Sequence, residues 1–174
     1  MTDLVVERSA IERAIVVVCS SILWVTMAVV FAILSANTIL RYLSGTSLQW
    51  ANELPELLFP WLVMSGVVLA AEKGSHIATV FLVDSVSPSA KRVISIAGFL
   101  IVAALYAVLV HATWGMLEIV HDERSPILQV PGSVTYACVM VGMVFLAVLA
   151  LLGAWRALRG ERVETEVGAS TAQG

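Results

Sequence analysis

The sequence predicts an all-α integral membrane protein of four transmembrane helices, with both termini in the cytoplasm and a short interfacial helix between spans two and three. Three observations carry that prediction. Charged residues make up 13% of the chain against 59% hydrophobic, about half the charge of an ordinary soluble domain. The charges are clustered, and uncharged stretches long enough to cross a bilayer separate the clusters. Lysine and arginine fall mostly on one side of those stretches.

The first uncharged stretch, residues 14–40, follows an N-terminal segment of residues 1–13. It is too long for the apolar core of a secretory signal, and no A-x-A site follows it. At about 1.5 Å per residue it reaches roughly 40 Å, enough to cross about 30 Å of hydrocarbon with some tilt. The second span, residues 54–71, contains Pro55, Glu56 and Pro60. Pro55 suits a first-turn position, where its missing N–H costs nothing. Pro60 lies one turn further in and is expected to bend the helix. Residues 76–83 are apolar but too short to cross. Ile77, Val80 and Phe81 share one face at helical spacing, which gives the interfacial helix. The third span, residues 93–117, is preceded by Ser87-Pro88, an N-cap residue followed by proline at the first helical position. The fourth, residues 130–155, starts at Pro131 and ends before Arg156 and Arg159. Each span must be helical, because lipid offers no partner to an unpaired backbone amide. Residues 14–159 thus form one membrane domain. Residues 160–174 read as a disordered cytoplasmic tail of small and acidic residues.

Eight of the ten basic residues lie in the N-terminal segment, the loop after span two and the C-terminal segment. Arg41 and Arg124 lie on the other side. That asymmetry puts both termini in the cytoplasm and turns loops 41–53 and 118–130 outward. Trp50, Trp61, Trp114 and Tyr136 lie near span ends, where an aromatic belt forms. Small residues recur at four-residue spacing, Ala28/Ala32/Ala36 on span one and Gly66/Ala70/Gly74 on span two. Such stripes let helix backbones approach closely, within the subunit or against another protein.

Few ionisable groups lie at depth. Glu53 and Glu56, at i and i+3 on the outer start of span two, suit either an ion site, a contact with a partner or a solvated helix start favoured by the dipole. His111 within span three suggests a haem ligand, a proton relay or a hydrogen bond to a neighbouring helix. The last is the expectation, because no second span carries a histidine at matching depth. His76 and His121 fall in or near loops. Asn37 reads as an interhelical hydrogen bonder, Lys91-Arg92 as an anchor for anionic lipid, and Glu72 with His76 as an i, i+4 pair. Cys19 and Cys138 fall inside apolar segments and form no disulfide or metal framework. The net charge of −3 and the absence of basic runs give no sign of nucleic-acid binding. No Ser/His/Asp, HExxH or CxxC arrangement points to catalysis, a metal or a cofactor.

Several motifs occur in order: Asn37 with Arg41-Tyr42 closing span one, Trp50 and Glu53-Leu54 opening span two, Trp61, Gly66 and His76-Ile77 along it, and Ser125-Pro126 with Val130-Pro131 before span four. In this the chain resembles the DctQ-like small membrane subunits of tripartite ATP-independent periplasmic (TRAP) transporters, over nearly its whole length. Many members of that family have two acids after the tryptophan, where this chain has Asn52-Glu53. The resemblance implies a non-enzymatic inner-membrane subunit without cofactors. It would scaffold a large permease subunit and help dock a periplasmic substrate-binding protein for ion-coupled uptake of an organic acid. It also marks Arg41, Trp50, Glu53, Trp61, Gly66, His76 and Pro131 as structural or partner-interface residues. The main alternative is a self-sufficient homodimeric transporter using Glu53 and Glu56. A redox subunit using His111 and an assembly factor are the others.

Overall fold

The computed structural model describes residues 9–81 and 88–159, with side chains throughout except at 75–81 and 88–91. The N-terminal residues 1–8, the loop 82–87 with the predicted cap Ser87, and the predicted tail 160–174 lie outside the described residues, as do the side chains of His76 and Lys91 and hence the Glu72–His76 pair. Four helices make up the described fold: α1 (Ala10–Ser44), α2 (Trp50–Phe81), α3 (Pro88–His121) and α4 (Ser133–Arg159). Each contains a stretch long and apolar enough to cross a membrane. Among the described residues the only sheet-like pairing is a single bridge, Arg124 to Pro131.

α1 opens with Glu12 accepting a hydrogen bond from the Ser9 N–H at 3.3 Å, half of a capping box. It closes at Gly45, whose φ of 69° places it in the left-handed region and lets its N–H reach the Arg41 carbonyl at 3.2 Å. α2 begins at Trp50, four residues before the predicted start of span two, so Pro55 lies beyond its first turn. Turn bonds from the Ala51 and Asn52 amides to the carbonyls of Leu48 and Gln49 lead into the helix. The only backbone bond Pro55 forfeits is the one to Ala51, so the helix continues through it. At the other end α2 runs on through Phe81. Residues 76–81 are helical as expected, but they continue α2 and do not form a separate helix. Gly74 is the sole potential breaker before them, and one glycine costs a helix only about 1 kcal/mol.

The helices alternate in direction. Glu12 at the start of α1 pairs with Arg156 at the end of α4, and the Arg92 Nε at the start of α3 donates to the Ala157 carbonyl at 2.9 Å. Asn37 near the end of α1 meets Asn52 at the start of α2. α2 and α4 form the middle of the bundle. α1 packs mainly on α2, and α3 mainly on α4.

The core is a cluster of Ile15, Cys19, Val68 and Leu146, flanked by Met64, Tyr106, Phe145 and Leu149. α1 buries Glu12, Ile15, Cys19 and Thr26, the three-and-four spacing of one helical face. α4 buries Cys138, Gly142, Leu146, Ala150 and Ala154, every fourth residue. Leu146 apart, these are small residues, and this is the stripe that the bundle itself uses. The Gly142 backbone lies against Met64 of α2 and Gly153 lies under the Phe99 ring of α3, where an added Cβ would clash. Of the two stripes read from the sequence, Ala28, Ala32 and Ala36 are all exposed on the outside of α1, and Ala70 is exposed as well. Gly66 does face a neighbour, with Leu23 of α1 at 3.8 Å from where its Cβ would stand.

Candidate functional site

The polar end of the bundle opposite the termini is organised by two side chains, Asn37 near the end of α1 and Glu53 near the start of α2. Asn37 accepts a hydrogen bond from the Leu48 N–H at 2.9 Å and donates through Nδ2 to Asn52 Oδ1 at 3.3 Å. It thus ties the α1–α2 connection to both helices, in keeping with an interhelical hydrogen bonder. Beside it, Arg41 is exposed, its guanidinium carbon 5.5 Å from the Tyr42 ring centroid. Trp50 stands partly exposed at the first position of α2.

Glu53, one turn into α2, reaches across to the connection between α3 and α4. Its Oε1 accepts from the Ile127 N–H at 2.8 Å and its Oε2 from the Leu128 N–H at 2.9 Å. Consecutive amides gripping one ionised carboxylate form an anion nest turned on a side chain of the same chain. The nest exists because the loop is folded on itself. The Val130 N–H donates to Ser125 Oγ at 3.2 Å, the Ser125 N–H to the Val130 carbonyl at 3.0 Å, and the Gly132 N–H to the Glu123 carbonyl at 2.8 Å. Gln129 closes the turn with φ of 55° and donates its side-chain amide to the carbonyls of Ser125 and Pro126. Arg124 Nη1 donates to the Gln129 carbonyl at 3.3 Å. Pro131 lies two residues ahead of α4, its carbonyl accepting from the Val134 N–H at 3.1 Å. Gly132 passes so close to Val120 that no side chain fits there.

The structure therefore joins Trp50-x-x-Glu53 and Ser125-Pro126…Val130-Pro131, two motifs far apart in the chain, into one clasp between α2 and the α3–α4 loop. It does not bring the other predicted residues to the clasp. Trp61 lines a small, partly open pocket of about 20 Å³ with Cys19, Met64, Ser65, Cys138 and Gly142. Gly66 lies deeper on α2, and the backbone of His76 lies near the far end of that helix. Glu56 is exposed. Nearby, His121 Nδ1 and Ser133 Oγ are 3.0 Å apart across the mouth of an open groove of about 570 Å³, which Glu118 also lines.

Three features were missed in the sequence. Glu12, 5% exposed, forms an ion pair with Arg156, whose side chain is 16% exposed. The Ser9-x-x-Glu12 spacing signalled the cap, but nothing local signalled a partner on another helix. Arg92 caps a carbonyl at the end of α4 in addition to any role toward lipid. The α4 stripe has the same four-residue period that was read on spans one and two. His111 departs from its expectation: it is exposed on α3 and makes no hydrogen bond to another described residue. The helices that α3 touches lie on its other side.

Glu53→Ala should free the α3–α4 loop while leaving the helices intact. Amide exchange at Ile127 and Leu128 should speed roughly tenfold, read by hydrogen–deuterium exchange in detergent. Unchanged protection at both amides would show that the loop holds its shape without the carboxylate.

The sequence matches the family model for tripartite ATP-independent periplasmic transporters, DctQ component, over residues 30–160. An uncharacterised protein of Sinorhizobium fredii is 35% identical over 160 residues, which cover 90% of this chain and 30% of that protein. The chain thus spans about a third of that relative's length. A Haemophilus influenzae protein provisionally named a TRAP transporter small permease is 26% identical over 140 residues, 80% of this chain and 84% of its own. With four helices fit to cross a membrane and a family match over most of its length, the chain belongs to the DctQ family of small TRAP permease subunits and is a multi-pass protein of the inner membrane.

Proposed function

We propose that this subunit scaffolds a larger permease subunit in the membrane and helps dock a periplasmic substrate-binding protein, for ion-coupled uptake of an organic acid. Both termini face the cytoplasm in this reading, and the Glu53 clasp faces the periplasm. The clasp is the observation that carries the reading. It holds the loops at one end of the bundle in a fixed shape, which a docking surface needs, and it engages both oxygens of Glu53. The self-sufficient transporter is less well supported. Glu53 is committed to loop amides, and Glu56 is exposed. The bundle interior is filled by Ile15, Cys19, Val68 and Leu146, and the pocket of about 20 Å³ beside Trp61 is too small for an organic acid. By this reading Arg41, Trp50 and Pro131 shape the docking end, Trp61 and Gly66 hold the bundle, and His76 belongs to the cytoplasmic end.

Reconstitution tests the proposal. Proteoliposomes holding this subunit alone should take up nothing. Those holding it with the large subunit of its own system, given the binding protein and an ion gradient, should accumulate substrate. Glu53→Ala should lower that uptake several-fold without changing the affinity of the binding protein for substrate. Uptake by the small subunit alone would refute the proposal.

A further inference from the structure

We propose that the His111 face of α3 is the surface through which this chain binds the larger permease subunit, with the His111 imidazole hydrogen-bonded across that interface. The inference rests on the small-subunit reading above and adds to it the face and the polar group that make the contact. The apolar stretch of α3, Arg92–His121, is the least buried of the four. His111 stands exposed on it without a hydrogen-bond partner among the described residues. It precedes the end of the helix by ten residues, about 15 Å along the axis. A stretch of 30 residues measures about 45 Å, roughly 15 Å more than the hydrocarbon core, so a centred helix puts His111 about 7 Å inside it. Side chains on a helix lean toward its N-terminus. For His111 that direction is away from the nearer membrane surface, so its ring is not placed to reach the headgroups. Acyl chains offer an imidazole no hydrogen bond, and polar side chains at such depth face protein or water.

The surroundings of His111 suit a helix as the occupant. At about 100° per residue, Ala97, Leu100, Ala104, Ala107 and Gly115 lie within roughly 40° of it around the axis. All five are exposed, all but Leu100 are small, and a Cβ on Gly115 would meet nothing within 4 Å. Small residues beside a polar one let a second backbone come close enough for the polar group to be satisfied. Exposed Glu118 continues the same face toward the helix end. The size of the occupant is suggested by the Sinorhizobium fredii relative, in which the matching segment is 30% of the chain and the remaining 70% is covalently joined to it.

The test uses this subunit co-expressed with the large permease subunit of its own system and purified through a tag on the small one. A photo-crosslinking amino acid at Ala104 or Gly115 should join the two subunits, identified by mass spectrometry. His111→Leu should lower recovery of the large subunit roughly threefold to tenfold, and His111→Asn should restore most of it. The His111→Leu subunit should unfold at the wild-type temperature, since His111 is exposed and has no hydrogen-bond partner among the described residues. If the wild type retains the large subunit but crosslinks run only to lipid or to a second copy, or if His111→Leu leaves recovery unchanged, this face is wrong while the subunit reading stands. If the wild type retains no large subunit, the subunit reading itself fails and this inference with it.

Discussion

Arg156→Ala is expected to destabilise the subunit by about 3–5 kcal/mol, the loss typical of stranding one member of a buried ion pair. Glu12 is 5% exposed, and its other partner among the described residues is the Ser9 amide. Without Arg156 its carboxylate would lie between α1 and α4 with one neutral donor in place of a cation. A folded domain typically holds 5–15 kcal/mol in all, so the loss should appear as a large fall in unfolding temperature in detergent. The pair matters mainly because half of it is costly. Replacing both partners with apolar residues, Glu12→Leu with Arg156→Met, should recover most of the stability. A double variant as unstable as Arg156→Ala would show that the charges themselves hold α1 to α4.

Gly153→Val should cost about 3 kcal/mol, mostly through steric overlap. A Cβ built on Gly153 stands 2.7, 2.9 and 3.0 Å from three atoms of the Phe99 ring. A ring has no flexible end to move aside, so α3 must shift from α4 along their main contact. Gly153→Ala sets that overlap against a gain of about 1 kcal/mol in helix propensity, and the overlap should still win by about 1 kcal/mol. Gly98, on the same helix pair, is the control. Nothing lies within 4 Å of its Cβ position, so Gly98→Ala should stabilise by up to about 1 kcal/mol. Thermal unfolding of the three variants checks the order. Equal effects at Gly153 and Gly98 would show that close approach to Phe99 is not what requires glycine.

Much of the architecture was legible because each helix is announced locally. Residues 14–40 and 93–117 are uninterrupted apolar rods, and Pro88 and Pro131 mark the approaches to α3 and α4. The start of α2 was less legible. Pro55 and Glu56 disguise it, while the turn bonds that begin the helix at Trp50 involve Leu48 and Gln49, which carry no distinctive signal. The small-residue stripes show the limit of periodicity. Three helices carry one, but Ala28/Ala32/Ala36 point outward and Cys138/Gly142/Leu146/Ala150/Ala154 point inward. Spacing along one helix says which residues share a face and nothing about where that face turns.

By itself the sequence determined that lipid is the solvent of this chain and that four rods cross it. Solvent preference acts on each residue separately and is summed along a short window, so a linear reading captures it. The tertiary structure decided what pairs with what: Glu53 with amides 74 and 75 positions away, Glu12 with a guanidinium 144 positions away, and His111 with no other described residue. Those pairings depend on which faces of separate helices meet, and that is set jointly by many weak packing contacts along their whole length. No single stretch of the chain holds that information.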